Sequence, residues 1–225
     1  MNNTYIKRIS DEKLNFLLQI KGAVLILGPK WCGKTRSSEE IAKSVLYMQN
    51  PDDSKENILT AKTKPSLLLV GEIPRLLDEW QVAPELWNAV RFAVDKRRLN
   101  GQFILTGSVI PTRTEDMHTG TGRIARMKMR TMSLYETGES TGEVSLEKIF
   151  NNEKNVEGIS KLSIEEIAFI INRGGWPVVV QEKNEKKALG IANDYLESVT
   201  NEDISKIDGI EKNPDRVKSI TSINS

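Results

Sequence analysis

Gly28-Pro29-Lys30-Trp31-Cys32-Gly33-Lys34-Thr35 fits the pattern G-x-x-x-x-G-K-[ST] at every specified position. Glycine at 28 and 33 lets the chain turn so that successive backbone N–H groups converge on phosphate oxygens, where a side chain would obstruct them. Lys34 is then placed to reach the β and γ phosphates, and Thr35 to put its hydroxyl on Mg²⁺. The whole run is the candidate nucleotide-binding set, with Pro29, Lys30, Trp31 and Cys32 contributing backbone. Upstream, Ala23-Val24-Leu25-Ile26-Leu27 is a continuous apolar run, as in a strand buried on both faces of a parallel sheet. Downstream, Ser37 to Leu46 reads as a helix with acidic residues in its first turn and its dipole directed at the phosphates. Strand, glycine loop and helix in that order predict an α/β fold, a parallel sheet with flanking helices.

A phosphate loop needs a partner carboxylate, and Ile73 to Gln81 supplies one. The apolar run Leu76-Leu77 ends in Asp78-Glu79, the form of a Walker B strand. Asp78 at the carboxyl end would hold Mg²⁺, and Glu79 would polarise the attacking water. The adjacent glutamate favours hydrolysis over transfer to a second substrate. Gln102 to Ser108 is the next buried strand, and its hydroxyl-bearing end faces the crevice where ligands bind in open parallel sheets. Thr106 or Ser108 is a candidate sensor of the γ-phosphate or orienter of water, against plain strand-end capping.

Composition narrows the chemistry. The chain has 225 residues and a formal net charge of +1, so nothing global points to nucleic acid or an anionic membrane. No apolar stretch approaches membrane-spanning length and the polar start has no signal-peptide core, which makes the cytoplasm the expected location. The single cysteine, Cys32, excludes an internal disulfide and a cysteine zinc site, and the single histidine, His118, excludes multi-histidine metal sites and a Ser/His/Asp set. Cys32 itself reads either as an oxidation-sensitive group in the loop or as a small residue tolerated there.

The remaining chain fills in the architecture. Asp11 to Ile20 reads as a helix with Asp11 as cap, and Tyr5 to Arg8 as either an adenine contact or part of a surface segment. Val45 to Met48 is a helix end or a second strand, Ser54 to Lys64 a loop or short helix, and Pro65 to Gly71 a short helix. Pro84 to Arg98 is an amphipathic helix. Arg123, behind a Gly/Thr-rich loop, is a candidate arginine finger. From Ile124 on, apolar and basic residues alternate as in a strand, with Arg126, Lys128 and Arg130 on one face. That basic strip is a contact for an acidic partner or nucleic acid, or a solvated face. A composition shift places the end of the nucleotide domain near residue 140. Beyond it, Ser163 to Ile171 is a helix with a capping box from Ser163 to Glu166, Gly174-Gly175-Trp176-Pro177 breaks it, and Glu185 to Val199 forms another. These helices, over residues 141–212, read as a small lid subdomain.

The combination GPKWCGKT (28–35), PRLLDEWQ (74–81), GQFILTGS (101–108), GRIARMKMRTMSLYE (122–136) and GGWP (174–177) resembles ATP-binding proteins of the AAA type that carry a DUF4143 carboxy-terminal domain. The resemblance runs from about Tyr5 to Val217. It implies phosphate and Mg²⁺ roles for Gly33, Lys34, Thr35 and Asp78, hydrolysis for Glu79, sensing for Thr106 or Ser108, and a finger arginine at Arg123 or Arg126. Such proteins usually continue further, so residues 213–225 are expected to be a truncated start of that domain. The function expected is a Mg²⁺-dependent ATPase, with two rivals: an ATP-gated switch or adaptor with negligible turnover, signalling to a protein partner or a second copy, and a P-loop kinase.

Overall fold

The apolar run at 23–27 forms strand β1 (Ala23–Leu27), and the sheet is built outward from it. A computed structural model describes residues 4–107 and 119–203. The other strands are β2 (Ser44–Tyr47), β3 (Arg75–Asp78), β4 (Phe103–Gly107) and β5 (Ile124–Lys128), in the order β2-β3-β4-β1-β5. Every pairing is parallel. The register aligns Leu27 with Gly107 and Lys128, and Tyr47 with Asp78. The carboxyl ends of the strands therefore share one edge, on which the phosphate loop sits.

Helices cover both faces. Alternation along β1 sends Ala23 and Leu25 into a core with Trp80, Leu86, Trp87, Val90 and Phe103, the face covered by α4 (Glu85–Arg97). Helix α1 (Ile9–Ile20) packs against β1, with Leu14 and Leu18 buried. Its cap is Arg8, whose N–H donates to the Asp11 carboxylate at 2.8 Å. Asp11 thus acts from the first turn, three residues inside the position its side-chain type suggested. Helix α3 (Ser54–Thr63) and a 3₁₀ turn at Pro65–Leu67 complete the connections to β3.

One element differs more. The helix after the phosphate loop, α2, spans only Lys34–Glu39, and β2 begins at Ser44. Ala42 N–H closes on Ser38 O at 2.8 Å, Lys43 N–H donates to Pro74 O at 2.8 Å, and the chain is then committed to pairing with β3. Strand pairing overrides the helical propensity of Ser44 to Leu46, and no acidic residue falls in the first turn of α2.

The chain divides into two compact units, Met1–Arg130 and Thr131–Ser225. The described part of the second unit is helical: α5 (Leu146–Phe150), α6 (Ile164–Arg173), the single turn α7 (Pro177–Val180) and α8 (Glu185–Ser198), followed by a π-helical turn at Val199–Asp203. The Ser163–Glu166 capping box starts α6, with bonds of 2.7 and 3.1 Å. Gly174, at φ 71°, ends that helix. Gly175 follows because Met132 O would lie 2.2 Å from any Cβ there. The Trp176 ring packs at a tilt against Tyr195 of α8, with ring centroids 4.4 Å apart.

Arg173 anchors this unit through a 2.8 Å ion pair with Glu139. Burial would raise the Glu139 carboxyl, but hydrogen bonds from Arg173 and Thr137 and the charge of Arg173 outweigh it and hold it below the usual carboxylate range. A carboxyl depressed in the folded state stabilises above its unfolded pKa, and that contribution is lost as pH falls through the folded value. Arg173→Ala should cost roughly 2–3 kcal/mol at pH 7, short of a fully buried pair because Glu139 keeps some contact with water. In urea unfolding followed by circular dichroism, the gap between variant and parent should narrow as pH falls below the carboxylate range.

Candidate functional site

The phosphate loop is shaped from beneath as well as by its own glycines. Gly33 adopts φ 100°, a left-handed conformation that suits glycine, and starts α2. Gly28 is needed for a different reason: a Cβ there would stand 2.3 Å from Met129 O and 2.9 Å from Cys32 Sγ. Met129 N–H in turn donates to Leu27 O at 2.7 Å, so the segment after β5 lies directly against the loop. Cys32 is fully buried against that segment, and burial pushes its thiol up. This is the opposite of the environment that makes a thiolate reactive.

Arg8 supports the same loop. Only 5% exposed, it donates to Cys32 O at 2.8 Å and to Arg130 O at 2.9 Å. Tyr5 Oη meets Asp11 Oδ2 at 2.7 Å and Ser37 Oγ at 2.8 Å, tying the amino-terminal segment to α2. Burial first, together with the Asp11 carboxylate, raises the Tyr5 hydroxyl above its ordinary value. Tyr5 and Arg8 thus brace the loop. The sequence marks Asp11 as a helix cap and is silent about the reach of Arg8 to Cys32 and Arg130.

Lys34 turns its ammonium into the loop, with Nζ donating to Gly28 O and Pro29 O, both at 2.9 Å. Trp31, at φ 63° and half exposed, and Lys30 complete the turn. Thr35 Oγ1 donates to Asp78 Oδ1 at 2.7 Å, and Thr106 Oγ1 donates to the same oxygen at 2.6 Å. The ends of α2, β3 and β4 therefore converge on one carboxylate oxygen. At the end of β2, Tyr47 Oη donates to Glu39 Oε1 at 2.6 Å, and that bond, then burial, pushes the phenol up to about 12.

Glu79 follows Asp78 at φ 53° and opens a 3₁₀ turn, Trp80–Val82. Its carboxylate accepts from the Gln81 amide. Trp80 is fully buried, 5.2 Å from the Trp87 ring. Gln81 closes the PRLLDEWQ stretch, where its residue type alone signals no role.

The arginines separate from this cluster. Arg123 precedes β5 at the amino end of the sheet, opposite the phosphate loop, and pairs with Asp95 at 2.8 Å. Arg126 lies mid-strand over the Trp87 ring at 5.9 Å. Neither shares an edge with Asp78 in its own chain. On β5 and just beyond, Arg126, Lys128 and Arg130 are exposed while Met127 and Met129 are buried, as the alternation predicts. Ser108 and His118 lie outside the described residues. Among the described residues no group of three or more His, Cys, Asp or Glu could hold a metal, and no helix is long and apolar enough to cross a membrane.

The fold is similar to that of the Walker-type ATPase PABY2304 of Pyrococcus abyssi, at 14% identity and a TM-score of 0.50, covering 91% of this chain and 76% of that one. PCH-2 of C. elegans is similar at 13% identity and a TM-score of 0.43, over 84% and 66% of the two chains. The FIGL-1 AAA domain in complex with ADP follows at 11% and 0.36, over 92% and 72%. No curated protein sequence matches the chain. Residues 164–223 match the model of a domain of unknown function, DUF8612, where the resemblance had implied DUF4143. The model described as AAA domain matches residues 21–138, just over half of the chain. Loop, carboxylate and sheet order lie within that span, and the chain belongs to the AAA domain family.

Proposed function

We propose that this chain binds ATP with Mg²⁺ and hydrolyses its β–γ bond. The observation that carries the reading is the convergence of Thr35 and Thr106 on Asp78 Oδ1. Both hydroxyls donate their protons to the carboxylate, so each keeps oxygen lone pairs, and Asp78 Oδ2 accepts no hydrogen bond among the described residues. One carboxylate and one hydroxyl beside a phosphate loop are what Mg²⁺ takes, since it keeps waters and substrate phosphates as its other ligands. Thr35 and Asp78 would hold the ion, which supplies neutralisation of phosphate charge. Backbone from Gly28 to Gly33 and the Lys34 ammonium bind the phosphates. Glu79, at the same edge, takes the proton of the attacking water. Thr106 holds Asp78 in orientation, and through that bond it would register the state of the phosphate. Arg123 takes no part within its own chain; as a finger it would act only in a neighbouring copy.

Steady-state phosphate release from Mg-ATP tests the reading. Lys34→Ala should abolish both ATP binding and release, and chelation of Mg²⁺ should abolish release. Equal release from parent and Lys34→Ala would locate the activity elsewhere. Glu79→Gln should bind ATP as the parent does while turning over about 10²-fold more slowly or worse, the usual size of a general-base contribution. ATP bound by the parent without any release would favour a nucleotide-gated switch. Arg123→Ala should leave turnover within about twofold in dilute, monomeric protein, against a loss of about 10³-fold for a working finger.

A further inference from the structure

Gln81 is fixed more tightly than an exposed turn would require. Trp80 beside it is fully buried, and the Val82 and Ala83 N–H groups close on Glu79 O and Trp80 O at 3.1 Å. The backbone of the turn thereby sets the Gln81 amide nitrogen against the Glu79 carboxylate. At the other end of the same amide, Gln81 Oε1 is buried and accepts no hydrogen bond among the described residues. That oxygen lies at the end of β4, where a Cβ on Gly107 would stand 2.4 Å away. Gly107 follows Thr106, which donates to Asp78. A buried amide oxygen without a donor is costly, and in proteins a protein group or an ordered water usually meets that need.

We propose that Gln81 orients the attacking water. Its Nε2 holds Glu79, and its Oε1 accepts a hydrogen bond from the water whose other proton Glu79 removes. The inference rests on the ATPase reading above. The water oxygen bonds to the γ phosphorus, and the bond from that phosphorus to the β–γ bridging oxygen breaks, its electron pair leaving on ADP. One water proton passes to the Glu79 carboxylate; the other, held by Gln81 Oε1 during attack, stays on the product phosphate. An amide suits the task because it donates and accepts at once, whereas a glutamate at 81 would offer Glu79 no donor.

The test compares the full chain with Gln81→Ala, Gln81→Glu, Gly107→Ala and the Gln81→Ala/Gly107→Ala double variant. It uses Mg-ATP turnover, binding of a fluorescent ATP analogue, and thermal unfolding. Gln81→Ala and Gln81→Glu should lower kcat at least about tenfold, part of the ~10²–10⁴-fold that proton transfer supplies. KM, analogue affinity and melting temperature should stay near the parent's, a split that a merely structural role would not produce. Gly107→Ala should give the same signature, because Gly107 lies outside the left-handed region and the atom in its way is a side-chain tip. The double variant should be no slower than the slower single one, since both changes remove one interaction. The inference fails if the parent hydrolyses ATP and Gln81→Ala does so within about twofold, or if the two losses multiply. A parent that releases no phosphate overturns the ATPase reading, and this inference with it. If Gly107→Ala does not fold, the two Gln81 variants decide.

Discussion

Everything at the candidate site depends on the segment after β5 lying against the phosphate loop. The Met129-to-Leu27 bond at 2.7 Å extends the β1–β5 ladder one step past the strands. That step brings Met129 O so close to residue 28 that only glycine fits. Cys32 is buried in the same contact, and Arg8 reaches the Cys32 and Arg130 carbonyls from below. A loop whose N–H groups must point at a ligand cannot satisfy its own polar groups fully, and it would collapse if nothing else fixed its path. Here that path is set by a strand end and a buried guanidinium, so the N–H groups need not shape the loop.

This division of labour separates two kinds of glycine that one motif treats alike. Gly33 is required by its dihedral angle and Gly28 by a neighbour 101 positions away in the chain. Gly107 and Gly175 belong to the second kind, each making room for one oxygen, that of the Gln81 side chain and of the Met132 backbone respectively. Close approach of this kind is how a sheet edge brings groups from several strands within hydrogen-bond distance of one carboxylate.

Legibility in the sequence followed the range of the forces involved. The runs at β1 and β4 are buried on both faces, and their apolar continuity made them readable without partners. The capping box at Ser163 is local and was equally readable. Strand β2 is an edge strand of four half-buried to exposed residues, with no period of its own; its pairing with β3 decides it, and that pairing cannot be read from Ser44 to Tyr47. Arg123 shows the same at the site: its glycine-rich approach is local and legible, while its place beside Asp95 of α4 at the start of β5 is set by partners distant in the chain. Gln81 was invisible for the converse reason, because glutamine after an acidic pair carries no signal until the Trp80 anchor fixes where the turn points.

The choice of partners for Asp78 bears on what the site can do. A carboxylate can be held in place by a cation or by neutral donors, and the two have opposite consequences. An Arg or Lys partner fixes the carboxylate but cancels its charge, so that a metal ion must displace the partner first. Hydroxyls from Thr35 and Thr106 fix the same oxygen at 2.7 and 2.6 Å and leave the charge whole, and among the described residues no cation pairs with Asp78. Orientation by dipoles with charge preserved is the form electrostatic preorganisation takes when the charge must act on a ligand rather than within the protein. It also links the two hydroxyls: whatever moves Thr106 at the end of β4 moves the oxygen that Thr35 shares. In the proposed ATPase, a change at the γ-phosphate side of the site would thus reach the metal side through a single carboxylate.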